Sequence, residues 1–229
     1  MVLCVPSMIL ALRSSLLFTL ATSVSTALAQ CSLAGYIAAF STNGTAIGAL
    51  GRTLPFQGIL TIDETSIRSN YLGVIGFSTS TPSGDAVLLQ ILSPPDPSAP
   101  YISMVISQTS CGALPIPNGD APWIAQLVPA DGFPLGPFPL PGTTRSTLLG
   151  GYGNLQTFCG EPMTFAIRSN FGRDILAPVW TDQNGNQHSL IVVHDITNNR
   201  VAVSPSLASY TAAASGPVKL EEVFFAFVT

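Results

Sequence analysis

Two carboxylates come closest to a chemical arrangement in this chain. Residues 174–195, DILAPVWTDQNGNQHSLIVVHD, hold two apolar runs around a polar loop centred on Asn184-Gly185. Asn-Gly accepts the positive φ of a type I′ turn, so the stretch reads as a β-hairpin. With Asn184 and Gly185 as the central turn residues, Thr181 faces His188, Ile175 faces His194 and Asp174 faces Asp195. Directly opposed residues have Cβ atoms about 4.5–5.5 Å apart, and like charges there repel. Such a pair could raise one pKa, hold Ca²⁺, or act as the acid and nucleophile of a retaining glycosidase. The competing account is structural: Arg173 or Arg200 neutralises the pair, or the strand ends splay. It carries more weight, because structural ion networks also perturb carboxylates.

His188 and His194, taken as one strand, would share a face at a separation of about 20 Å, too far for one metal ion. His194 and Asp195 are adjacent and would face opposite sides, which makes a poor catalytic dyad. Trp180 and Trp123 suggest flat platforms for sugar rings, but Trp180 lies in a run apolar on both faces and suits a core equally well. Pro178 in the same run argues for a sheet edge. The chain has no G-x-S-x-G elbow, H-E-x-x-H, Walker A loop or EF-hand loop; the glycine-rich 148–153 stretch lacks the Lys-Ser/Thr of a phosphate loop. Neither a metal site nor a cofactor is expected.

The elements that would carry these residues are strands. Residues 33–40 and 46–50 flank a second turn at Asn43-Gly44; 54–62 alternates with period two; 71–77, 86–92 and 101–109 follow, then 163–168, 201–203 and 221–228. Two glycines in 71–77 signal a bulge or close packing. Residues 112–145 are rich in proline and read as a long loop packed over the sheet, rather than as a linker or a PxxP ligand. One short helix is expected near the C-terminus, with Ser204 as N-cap, Pro205 as first residue and Gly216 as the stop. The expectation is a single all-β domain over residues 30–229, a β-sandwich or Greek key of about ten to twelve strands with that Pro-rich loop.

Residues 1–29 have the form of a secretory signal: Arg13, a short apolar stretch and Ala27-Leu28-Ala29 before Gln30. Without Arg13, seven basic residues stand against twelve acidic, and Lys219 is the only lysine. No basic patch can form, which argues against nucleic acid and anionic membranes as partners. Charged residues are 9% of the chain and hydrophobic ones 47%, which argues against disorder. Cys31, Cys111 and Cys159 follow the signal; similar flanks favour a Cys111–Cys159 disulfide, with Cys31 as an alternative partner of either. Asn43-Gly44-Thr45 is the only glycosylation sequon. These features suit a secreted, extracellular, non-catalytic protein that binds carbohydrate or another extracellular protein. A polysaccharide hydrolase using Asp174 and Asp195 is the runner-up, and a recognition ligand acting through the Pro-rich segment comes third.

Overall fold

The computed structural model describes residues 32–53, 58–81, 84–106, 122–131, 144–147, 155–161, 163–170, 173–181 and 186–229. These hold fifteen strands, one helix and one 3₁₀ turn. The strands are β1 (Ser32–Ser41), β2 (Ala46–Leu50), β3 (Ile62–Asp63), β4 (Gly73–Thr81), β5 (Gly84–Ile91), β6 (Tyr101–Ile106), β7 (Ala125–Ala130) and β8 (Thr144–Thr147). There follow β9 (Gln156–Glu161), β10 (Met163–Asn170), β11 (Arg173–Thr181), β12 (Gln187–Ser189), β13 (Ile191–Asp195), β14 (Arg200–Ser204) and β15 (Leu220–Val228). The helix α1 spans Leu207–Ala213, and the 3₁₀ turn Arg68–Asn70.

The expected sandwich or Greek key is replaced by a closed antiparallel barrel of eight strands. Its circuit runs β1, β15, β13, β14, β7, β6, β5, β4 and back to β1, every pairing antiparallel. Closure comes from the first and last strands: Tyr36 stands opposite Val228 and Ser41 opposite Val223. The wall also forks. β15 gives Val223 to β13 but Phe225 and Ala226 to β11, and β10 carries β11 across to β5. One end of the barrel is thus closed through β13, β14, β7 and β6, and the other through β11 and β10. Closure leaves these strands no unpaired edges, which an open sandwich could not achieve.

Alternation along the strands explains the packing. In β13, Val192 joins the main core, while Val193 packs with Ala202 and Tyr210 beneath α1. A strand buried on both faces needs the continuous apolar run that Ile191-Val192-Val193 supplies. The main core extends from Ile37 to Phe225 and draws on almost every strand. The close packing expected of the glycines in β4 is present at Gly76, where a Cβ would lie 2.3 Å from the Phe227 ring.

Three local expectations are corrected. Within 54–62, residues 58–61 form no strand, and only Ile62–Asp63 pairs, with β2; residues 54–57 lie outside the described part. The Pro-rich 112–145 stretch contains β7 and the start of β8, and Pro129 sits within β7 opposite Ile102. Its segments 112–121 and 132–143 lie outside the described residues, as do 1–31 and the Asn184-Gly185 turn. The helix is capped by Ser206, whose hydroxyl accepts from the Ser209 N–H at 3.0 Å. Ser204 instead ends β14 and donates to the Trp123 carbonyl at 2.9 Å.

Candidate functional site

Asp195 does not meet Asp174. β11 pairs with β12 one residue out of the expected register, with Trp180 opposite His188 and Thr181 opposite Gln187. Beyond Leu190 the chain leaves β11 altogether: β13 runs between β14 and β15, placing Asp195 opposite Arg200 and Leu220. Asp174 stands opposite Ser169 in β10. The acid pair expected from the turn is therefore not formed, because the hairpin continues into two different neighbours rather than one ladder.

Asp195 is fully buried and accepts four hydrogen bonds. Its Oδ1 accepts from the Asn198 backbone N–H (3.1 Å), and its Oδ2 from Asn198 Nδ2 (2.8 Å), Arg200 Nε (3.0 Å) and the Tyr210 hydroxyl (3.1 Å). Burial pushes this carboxyl up, but the bonds from Asn198, Arg200 and Tyr210 outweigh it and hold the group below its ordinary value. Burial, together with the adjacent carboxylate, raises the Tyr210 hydroxyl to about 12, although Arg200 opposes the shift. A buried carboxylate that accepts four hydrogen bonds, three of them on Oδ2, is committed to the structure rather than held ready for a substrate. The cluster ties the β13–β14 turn to α1, with Arg200 as the neutralising partner.

The two tryptophans are core residues. Trp180 is 1% and Trp123 7% exposed, and their rings meet edge to face at 5.5 Å and 79°. Pro178 is not at an edge either: β10 pairs on one side, and on the other the Leu190 N–H donates to its carbonyl. Both sugar platforms are thus withdrawn into the barrel. His188 is half-buried in β12, and His194 is buried in β13. Cys159 is buried in β9 and disulfide-bonded, while Cys31 and Cys111 lie outside the described residues. Asn43 is exposed in the β1–β2 turn, where its Oδ1 accepts from the Thr45 N–H at 3.0 Å and Gly44 takes the positive φ of 84°.

One concavity was not foreseen. It is a groove of about 750 Å³ on the outer wall where β1, β15 and β11 run side by side. Its floor is made of small side chains, Ala38 opposite Ala226 in the β1–β15 ladder. Tyr36 and Tyr71 line one part, with ring centroids 5.1 Å apart and planes at 40°; Ile167 and Ile175 line another. Arg68, from the 3₁₀ turn, stacks over the Tyr36 ring at 5.5 Å, and the Tyr71 hydroxyl donates to the Thr65 carbonyl. Both rings are therefore fixed before any ligand arrives. Glu64 and Ser66 add polar groups to the lining. The signal was present in the sequence: Tyr36, Ala38 and Phe40 alternate with the core residues Ile37 and Ala39, yet the run 33–40 reads as uniformly apolar. No family model, no curated protein and no solved structure matches this chain.

Proposed function

We propose that this is a secreted, non-catalytic binding protein whose outer groove takes a glycan chain. The observation that carries the reading is the prefixed Tyr36–Tyr71 pair beside a shallow apolar floor, with Glu64 and Ser66 among the lining. A sugar ring has the matching character, an apolar face to stack and hydroxyls at its edge, and orientation of the aromatics in advance lowers the cost of ordering them on binding. The burial of Asp195 and its four hydrogen bonds within the protein favour binding over hydrolysis.

Retention of the mature protein on a panel of insoluble polysaccharides tests this directly. Tyr36→Ala and Tyr71→Ala should each weaken retention about tenfold, the equivalent of ~1.4 kcal/mol, without unfolding the barrel. No retention on any polysaccharide, or retention indifferent to both changes together, would sink the reading.

Secretion itself has a separate readout. The mature chain should begin at Gln30, carry a glycan on Asn43 and join Cys159 to Cys111, leaving Cys31 as the free thiol. Intact mass and peptide mapping under non-reducing conditions report all of these, and a retained N-terminus or three free thiols would contradict the extracellular route.

A further inference from the structure

The two sides of the groove are held in different ways. Its apolar side comes from paired strands, with Ile167 on β10 and Ile175 on β11, whereas Glu64, Ser66 and Tyr71 all come from one loop, residues 63–71. Arg68, in the same loop, is the residue that stacks over Tyr36. Both stems of the loop are tied at or beside the end of β2: Asp63 stands opposite Ala49, and Tyr71 bridges to Gly51. At the first stem the backbones are so close that a Cβ on Gly48 would lie 2.2 Å from the Asp63 carbonyl oxygen. Asp63 is the fixed point from which the loop departs.

Apolar burial does not hold what lies between the stems. Residues 64–70 are all exposed, Ile67 at 56%, and the 3₁₀ turn has no buried residue. Order in an exposed segment of that length costs conformational entropy that hydrogen bonds must offset. The side-chain bonds present converge on one carboxylate oxygen. Asp63 Oδ1 accepts from the Thr65 N–H at 2.8 Å and from the Thr65 hydroxyl, which in turn accepts from Asn70 Nδ2 at 3.3 Å. The Thr65 carbonyl accepts from the Tyr71 hydroxyl. Orientation of Tyr71 thus passes through Thr65 to Asp63. The bond from the Thr65 hydroxyl, foremost, holds the Asp63 carboxyl below its ordinary value, so near neutral pH it is ionised and acts only as an acceptor.

We propose that Asp63 is the positioning residue of the groove. Asp63 is not among the residues that line it; its carboxylate acts through the 63–71 loop, which presents Glu64, Ser66 and Tyr71 and braces Tyr36 through Arg68. This deepens the glycan reading and rests on it. The readiness of the groove for a ligand then resides in a hydrogen-bonded loop rather than in the barrel wall, and loosening that loop adds an ordering cost to binding.

Amide hydrogen exchange of the free protein and retention on the polysaccharide panel, read side by side for wild type, Asp63→Ala and Asp63→Asn, test this role. The Asn70 and Tyr71 amides, bonded to the Ile67 and Arg68 carbonyls, report the order of the loop. Asp63→Ala should speed their exchange and weaken retention, each about fivefold, the scale of one hydrogen bond. Exchange in β13 and β14 should stay as in the wild type, which a general loss of stability would not allow. Asp63→Asn keeps an Oδ1 acceptor and should restore most of both losses. Thr65→Val, which lacks the hydroxyl, replaces Asp63→Ala should that variant not fold, with smaller losses of the same kind. A folded variant with unchanged loop exchange or unchanged retention would overturn the role, as would failure of Asp63→Asn to rescue. A wild type retained on no polysaccharide would overturn it together with the glycan reading, a result visible before any variant is made.

Discussion

Asp195→Ala is expected to destabilise the protein by about 3–5 kcal/mol, the usual cost of removing one partner from a buried ion pair. The effect follows from what is left behind: Arg200, only 29% exposed, and the buried Tyr210 hydroxyl would both lose their acceptor. Asp195→Asn should cost about 1.5–3 kcal/mol, because one oxygen survives for the Asn198 N–H while an amide NH₂ confronts three donors. Had Asp174 been the neighbour, neutralising Asp195 would have relieved a repulsion and raised stability, so the two arrangements differ in sign. Thermal unfolding of both variants near neutral pH decides; an unchanged or higher midpoint for Asp195→Asn would contradict the cluster. The acid limb gives a second check. Asp195 has a folded pKa below its ordinary 3.8, so its contribution is present above that value and is lost as pH falls through the folded pKa. The wild type should therefore lose stability in acid more steeply than Asp195→Asn. At the other extreme, Tyr210 is raised from 10.0 to about 12, and its contribution should be lost as pH rises through that interval.

Trp180→Ala is expected to be comparably severe, about 3–5 kcal/mol, since it empties a large volume in the barrel interior. The edge-to-face contact with Trp123 would disappear with it, removing about 0.5–1.5 kcal/mol of that total. Chemical denaturation gives the stability loss, and polysaccharide retention below the unfolding transition should be unaffected, because the groove lies on the outer wall. A sugar platform at Trp180 predicts the reverse: full stability and lost binding. That reversed pattern would return the tryptophans to the surface.

Local order was legible where apolar runs flank a turn signal, whereas the alternating 54–62 stretch misled, its residues 58–61 forming no strand. Residues 46–50 coincide with β2, residues 33–40 differ from β1 by one residue at each end, and the Asn43-Gly44 turn lies where expected. The opposition of His194 and Asp195 was legible too: Asp195 joins the helix cluster, whereas His194 lies against Asn199 instead. What failed were choices among equally good local partners. Ser204 and Ser206 are both competent caps, and a tertiary bond to the Trp123 carbonyl takes the first. Counting prolines hid β7, since Pro129 is accommodated inside an antiparallel pair. The hairpin register failed because Asn-Gly specifies a two-residue turn, whereas pairing of Thr181 with Gln187 encloses residues 182–186. Pairing between β1 and β15 leaves no local trace at all, so closure of the sheet was beyond any pattern of period two.

That closure has a kinetic side. β15 is paired with β1 along one edge and with β13 and β11 along the other, so three strands depend on it for a neighbour. Contacts between opposite ends of a chain form late, because loop-closure entropy is lost before they return any energy, and topologies dominated by them fold in milliseconds to seconds. Until residues 220–228 dock, β1, β11 and β13 present open backbone edges to any other chain in reach. The most association-prone species on the folding path should therefore be the nearly complete barrel missing its final strand, rather than the disordered chain that precedes it.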